Sequence, residues 1–332
     1  MLVIRRWLPL LLVLLAIVLV APLAQPIFAQ PGADRGQLQR FEFALIGDLP
    51  YDAEQERKFD NLIADINNNR ILFTVHDGDF KSGSSPCSDE MFSQRYELFQ
   101  TFKNPFIFVF GDNEWIDCHR VAAGGYAPLE RLDKLREIFT ADDSSLGQRA
   151  LPLERQSKNP EYATFRENVR WVIGEVMFVG LHVVGSNNNL GRTPEADAEY
   201  YERNAANLAW MRDSFVLATE QDMRAVMLII QANPNFERRN DPGSGFKDFI
   251  DALERETLAF KKPVVLVHGD SHYFRIDKPL LGSASNRRIE NLTRVETFGS
   301  PDVHWLRATV DPHDPNVFTF RQEIVEANLV EH

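Results

Sequence analysis

The sequence predicts one mixed α/β domain that ends in strands alone. Three observations carry this. Between Phe41 and His272, short apolar runs alternate with stretches whose apolar residues recur at helical spacing. After Asn291 only strand-like runs follow. No repeat at a solenoid period, low-complexity tract or interdomain linker interrupts the chain, so the domain is drawn at 41–328, behind a short linker at 30–40.

In order, "FEFALIGD" from Phe41 is a buried strand, and Phe59, Leu62, Ile63 and Ile66 then recur on one helical face. "ILFTVHDGD" and "PFIFVFGD" supply a second and a third strand. In "APLERLDKLREIF", Leu129, Leu132, Leu135 and Phe139 fall on one side of a helix. "WVIGEVMFVGLHVVGS" reads as further strands, with a turn or bulge at its interior glycines Gly174 and Gly180. Thr193-Pro194 opens a long helix, Thr193 as the cap and Pro194 at the first position. Its face carries Tyr201, Leu208, Met211 and Phe215. "AVMLIIQANP" is a strand, a helix with Phe246, Phe249, Ile250 and Leu253 follows, and "PVVLVHGDSH" closes the alternating part. "TRVETFG", "VHWLRATV" and "VFTFRQEIV" form the all-strand tail.

Residues 1–29 stand apart. Two arginines, an apolar stretch from Trp7 to about Val20 and a segment ending at Ala29 match a signal peptide cleaved after that alanine. An uncleaved anchor from Trp7 to Ala24 is the alternative, being nearly long enough to span a membrane. Cleavage predicts a periplasmic or secreted domain with no stable membrane span. Composition is that of a globular protein, 44% hydrophobic and 25% charged. A net charge of −12 argues against a nucleic-acid partner, and an anionic substrate would need a metal or a few local arginines. The chain has two cysteines, Cys87 and Cys118. In an exported protein such a pair favours a disulfide, two separate thiols being the alternative.

Five apolar runs end in polar clusters: Gly47-Asp48, Gly78-Asp79, Gly111-Asp112-Asn113-Glu114, Gln231-Ala232-Asn233-Pro234 and His268-Gly269-Asp270-Ser271-His272. In open α/β sheets ligands bind at the carboxyl ends of strands. A single Gly-Asp ordinarily closes a turn or caps a helix. Recurrence at three successive strand ends, with an aspartate–histidine pair after a later one, points instead to termini that gather around one or two cations.

In the same order, "GDLPY", "DGDFKSG", "GDNEW", "QANP" and "HGDSH" resemble the motifs of the calcineurin-like metallophosphoesterases, a group that includes the purple acid phosphatases. The resemblance runs from Phe41 to His272. It implies a four-layer αββα sandwich of two mixed β-sheets flanked by helices, with the C-terminal strands completing one sheet. It also implies a metal-dependent phosphatase or phosphodiesterase acting on a small phosphorylated substrate. The implied metal set is Asp48, Asp79 (the candidate bridge between two ions), Asp112, Asn113, Gln231, Asp270 and His272. The chain departs from the pattern in several places. Pro50 stands where a histidine is usual, Asp112 where asparagine is, and Asn113 where the catalytic histidine is. Gln231 and Asp270 replace two histidine ligands, so Asp48, Asp79 and His272 are the positions that carry over unchanged.

These replacements exchange imidazole for oxygen. The resulting set suits Mn²⁺, Mg²⁺ or Ca²⁺ better than zinc, iron being admissible. Two such ions would bind phosphate, activate a water and stabilise the leaving oxygen. Asn113 is placed to position substrate, while His182 and His268, with His119 beside them, are the candidate proton carriers. Lys81, Arg120 and Arg192 are candidate phosphate receivers, and Asn187, Asn188 and Asn189 candidate donors. A Cys87–Cys118 bridge would tie the loops that leave the second and third motifs. No Gly-x-Ser-x-Gly elbow occurs, which argues against serine hydrolysis. The replaced histidines leave a second reading, a catalytically impaired, phosphatase-like protein that binds metal or ligand.

Overall fold

The computed structural model describes residues 39–329, so the segment read as a signal peptide and most of the linker lie outside them. In chain order the elements are β1 (Phe41–Ile46), α1 (Ala53–Asn68), β2 (Thr74–His76), α2 (Asp89–Phe99), β3 (Phe106–Phe108), α3 (Pro128–Phe139), β4 (Glu154–Arg155), β5 (Val169–Ile173), β6 (Val176–Gly180), the short turn α4 (Gly185–Asn188), α5 (Pro194–Glu220), β7 (Ala225–Ile229), α6 (Lys247–Phe260), β8 (Val264–His268), β9 (Arg275–Asp277), β10 (Leu292–Glu296), β11 (Trp305–Val310) and β12 (Phe318–Glu323). One sheet runs β12-β11-β1-β2-β3 and the other β4-β5-β6-β7-β8-β10-β9.

Strand alternation produces the layers. On β1, Phe43 and Leu45 join a core shared with Trp171, Phe178, Met227 and Val265 of the other sheet. Ala44 and Ile46 point the opposite way, into a second core with Phe59 and Leu62 of α1, Phe99 of α2 and Leu135 of α3. On β7 the same division sends Ala225, Met227 and Ile229 between the sheets, and Val226 and Leu228 against Met211 and Phe215 of α5 and Leu253 of α6. Both strands are apolar on two faces, as interior strands must be. The result is an αββα sandwich of two mixed sheets. Among the described residues no helix is long and apolar enough to cross a membrane.

Strands β1, β2 and β3 run parallel, as do β6, β7, β8 and β10; antiparallel strands flank both sets except at β3, which is itself an edge of the first sheet. Several expectations shift. The C-terminal strands do not complete one sheet: β10 joins the second, while β11 and β12 close the first. Helix α2 and the short strands β4 and β9 have no counterpart in the sequence reading. Leu129 of α3 and Tyr201 of α5 face solvent. On α5 the inward stripe includes Tyr200 and the polar Arg203, Asn204 and Asn207, so apolar spacing alone misplaces its face.

Candidate functional site

In-register pairing brings the strand ends together. Ile46 lies beside His76 and His76 beside Phe108, so β1, β2 and β3 deliver Asp48, Asp79 and Asp112 to one edge. Ile229 pairs with Val267, and β7 and β8 deliver Gln231 and Asp270. The backbone reverses at once. Asp48 (φ 52°), Asp79 (φ 59°), Asp270 (φ 74°) and His272 (φ 56°) are all left-handed. That costs non-glycine residues roughly 1 kcal/mol or more each and persists only where the surroundings enforce it. Glycine at 111 is required by crowding: a Cβ there would lie 2.0 Å from Asp79 Oδ1.

The hydroxyl of Tyr51 stands at the centre. Its oxygen is 3.2 Å from Asp48 Oδ1, 3.4 Å from Asp79 Oδ2 and 3.2 Å from His272 Nε2, and it accepts from Asn113 Nδ2 at 3.2 Å. Each acid keeps a second support. Asp48 Oδ2 accepts from the Asp270 amide at 2.9 Å, and Asp79 Oδ1 from the Asn113 amide at 3.0 Å. Asp112 Oδ2 accepts from the Ser186 hydroxyl at 2.6 Å, and Asp270 Oδ2 from the Asn233 amide at 3.0 Å. His272 Nδ1 lies 2.8 Å from the Ser300 carbonyl, which orients the ring. Gln231 departs from its expected part as an oxygen donor. Its amide oxygen accepts from the Gly185 N–H at 2.6 Å, which turns its NH2 to Asp79 Oδ2 at 3.1 Å.

The site gathers several buried carboxyls around one buried cation, Lys81, and their burial and mutual repulsion favour the protonated forms. Burial, then the charges of Asp112, Glu114 and Asp48, raise the Asp79 carboxyl well above its usual range. Burial also raises Asp112, and burial followed by repulsion from Asp112 and Asp48 lifts Asp270 to about 7. Glu114 is likewise lifted to about 7 by burial. On His272 burial acts downward, but the hydrogen bond and charge of Asp48 outweigh it and the net shift is upward. Lys81 is buried too; its ammonium donates to the Ser82 carbonyl at 2.8 Å, and desolvation pulls it down. Among the described residues no three His, Cys, Asp or Glu side chains stand ready as a metal-binding group. The oxygen of Tyr51 occupies the point between Asp48, Asp79 and His272. Asn113, like Gln231, departs from its expected part as a ligand, since its NH2 donates to the Tyr51 oxygen and to the Lys81 carbonyl at 3.0 Å. Even so, buried carboxylates with an imidazole and a phenol oxygen are a donor set that fits a hard divalent cation.

The candidate proton carriers are not brought to this centre. His182 is fully buried, with Nδ1 2.9 Å from Glu167 and its ring against Phe110 and Trp115. His268 is also fully buried, and desolvation takes it down to about 3, so it is neutral. His119 sits at the rim, its Nδ1 2.6 Å from the Ile116 carbonyl. Arg120 pairs with Asp117, and Arg192 donates to Asn189. Cys87 and Cys118 form a disulfide, Cα–Cα 5.7 Å, joining the loops after β2 and β3.

No family model matches the sequence, and no curated protein resembles it in sequence. Solved structures do resemble it. PhoD superposes with a TM-score of 0.51 at 11% identity, over 82% of this chain and 64% of that one. The chain has the calcineurin-like metallophosphoesterase fold. A 5'-nucleotidase from Candida albicans SC5314 is matched over 87% of this chain and 52% of its own, at 10% identity and a TM-score of 0.44. Vacuolar Protein Sorting 29 from Cryptosporidium parvum is matched over 86% and 97%, at 12% and 0.34. The chain thus spans less than two thirds of the PhoD and nucleotidase chains. Within this calcineurin-like frame, Tyr51 reads from the sequence as packing beside the first aspartate and instead stands at the centre, while the sequence assigns Glu114 and Ser186 no role of their own. Each lies one to four residues beyond a motif glycine or strand end, and that position was the available signal.

Proposed function

We propose that the protein is an exported, metal-dependent phosphoester hydrolase, a phosphatase or phosphodiesterase for small phosphorylated substrates. One observation carries the reading: left-handed Asp48, Asp79 and His272 surround a single oxygen, within a buried acidic cluster whose carboxyls burial and mutual repulsion push upward. Asp48, Asp79 and His272, with the Tyr51 oxygen, would hold a divalent ion, Mn²⁺, Mg²⁺ or Ca²⁺ by donor chemistry. Asp112 and Asp270 would serve a second. Bound cations would supply Lewis-acid charge and a water of lowered pKa. The chain's own part is orientation: Gln231 and Ser186 fix the oxygens of Asp79 and Asp112, and the Ser300 carbonyl fixes His272. The Cys87–Cys118 bond and the apolar N-terminal segment support export to the periplasm or beyond.

The test uses protein stripped by chelator, then assayed on phosphomonoesters and phosphodiesters with each divalent ion restored. Turnover should require the ion, and Asp79→Ala should abolish both turnover and ion binding. Turnover in Asp79→Ala, or without any ion, refutes the reading. The second reading, a non-catalytic metal- or ligand-binding protein, is favoured by the burial of His182 and His268 away from the centre. It predicts ion binding without product from any ester of the panel.

A further inference from the structure

Arg203 projects from α5 and is fully buried. Its guanidinium donates to the His182 carbonyl at 2.7 Å, to Asn188 Oδ1 at 2.6 Å and to the Asn188 carbonyl at 3.0 Å, and it pairs with Glu199. Glu199 in turn accepts from Asn189 Nδ2 at 2.9 Å. The ring of Trp115, in the third motif, lies 5.5 Å from the guanidinium carbon. These contacts grip a turn in which four consecutive non-glycine residues are left-handed: Ser186 (φ 51°), Asn187 (φ 56°), Asn188 (φ 54°) and Asn189 (φ 67°). Such a run is steric strain that relaxes unless held. The other side of the turn meets the candidate metal centre. Gly185 N–H sets the amide of Gln231, which donates to Asp79, and Ser186 donates to Asp112.

We propose that Arg203 is a positioning residue: it holds the Ser186–Asn189 turn left-handed, and through Gly185, Ser186 and Gln231 it fixes where Asp79 and Asp112 present their oxygens. This rests on the reading of those two acids as ion ligands. A planar fork of donors reaches several carbonyl and carboxylate oxygens at once, which a lysine ammonium on a flexible stem does not reproduce.

The experiment compares the full chain with Arg203→Lys, and with Arg203→Lys carrying Asn187→Gly, by Mn²⁺ titration calorimetry and amide hydrogen exchange. Arg203→Lys should weaken Mn²⁺ binding roughly 10- to 100-fold, the range for residues that orient ligands, and speed exchange in residues 185–190 and 231–233. Glycine adopts the left-handed region without steric cost, so adding Asn187→Gly should return the Kd toward the parent value. A purely structural role lowers the melting temperature and leaves the Kd unmoved. A Kd within about twofold of the parent, or no recovery with glycine, overturns the proposal. If the parent chain binds no Mn²⁺, the metal reading fails. Exchange then decides the clamp by itself: deprotection confined to those two segments upholds it, and deprotection spread through α5 overturns it. Should Arg203→Lys not fold, Asn188→Ala, which removes the side-chain acceptor, is read by the same criteria.

Discussion

Replacing Tyr51 with phenylalanine removes one oxygen from the middle of the candidate centre and almost nothing else. That hydroxyl carries one proton, so it donates to one of Asp48, Asp79 or His272 at a time. Its contacts of 3.2 to 3.4 Å are longer than an optimal O–H···O bond. A hydrogen bond to a charged group contributes about 1.5–3 kcal/mol. These lengths place the loss near the lower limit, since Asp48 keeps the Asp270 amide, Asp79 keeps the Asn113 amide and Gln231, and Asn113 keeps the Lys81 carbonyl. Metal-free Tyr51→Phe should therefore be less stable by about 1–2 kcal/mol in urea, still folded and cooperative. Its Mn²⁺ affinity should fall by roughly tenfold, the loss of one oxygen donor from the set. Calorimetric titration and denaturation at one pH measure the two quantities together. Binding of Mn²⁺ as tight as, or tighter than, the parent's would refute the reasoning, because the phenol would then be an obstruction between the ligands and not one of them.

Two further outcomes follow from the electrostatics and the crosslink. Burial holds Asp270 and Glu114 at about 7 and Asp117 at about 6, above their ordinary 3.8 to 4.5, and it raises Asp77, Asp79, Asp112 and Glu296 as well. It acts the opposite way on His76, His182, His268 and His304, but the raised carboxyls outnumber them, so the metal-free native state binds more protons than the unfolded chain between pH 4 and 7. Its stability should fall across that window, by on the order of a few kcal/mol. Glu167, held far below its usual range by Arg136 and His182 against the opposing effect of burial, acts only at lower pH. Thermal melts in chelator that rise from pH 5 to 7 would contradict this. Replacing Cys87 and Cys118 with alanine frees a crosslink across a sequence separation of 31 and should cost roughly 3–4 kcal/mol. It should also weaken Mn²⁺ binding, since Cys118 lies beside the Asn113–Glu114 backbone; an unchanged urea midpoint would refute the assignment.

The legible parts of the fold were those in which one chemical pattern sufficed. Apolar runs ending in Gly-Asp gave β1, β2 and β3 together with the edge where their acids meet, and Thr193-Pro194 marked the start of α5. Illegible parts depended on partners far along the chain. Gln231 reads as an oxygen donor, but Gly185, delivered by another strand, decides which end of its amide faces Asp79. His182 and His268 read as proton carriers because strand membership does not say which side of the sheet a ring enters; both entered the interior. Tyr51 reads as packing, and its role appears only once four elements converge on it. The Asn187–Asn189 run reads equally as donors to substrate or as a plain polar loop, whereas its composition answers a backbone need, asparagine being among the residues best tolerated in the left-handed region.

The hydrogen bond from the Asp270 amide to Asp48 joins residues 222 positions apart, and β1 itself pairs with β11. The centre is therefore a seam between early and late segments of the polypeptide. A nascent chain stopped before residue 270 would carry Asp48, Asp79 and Asp112 yet lack the groups that align them. Long-range closures of this kind are slow steps of folding. If the centre takes an ion as proposed, capture belongs to the finished molecule, and the ion would tie together segments from both ends of the folded chain.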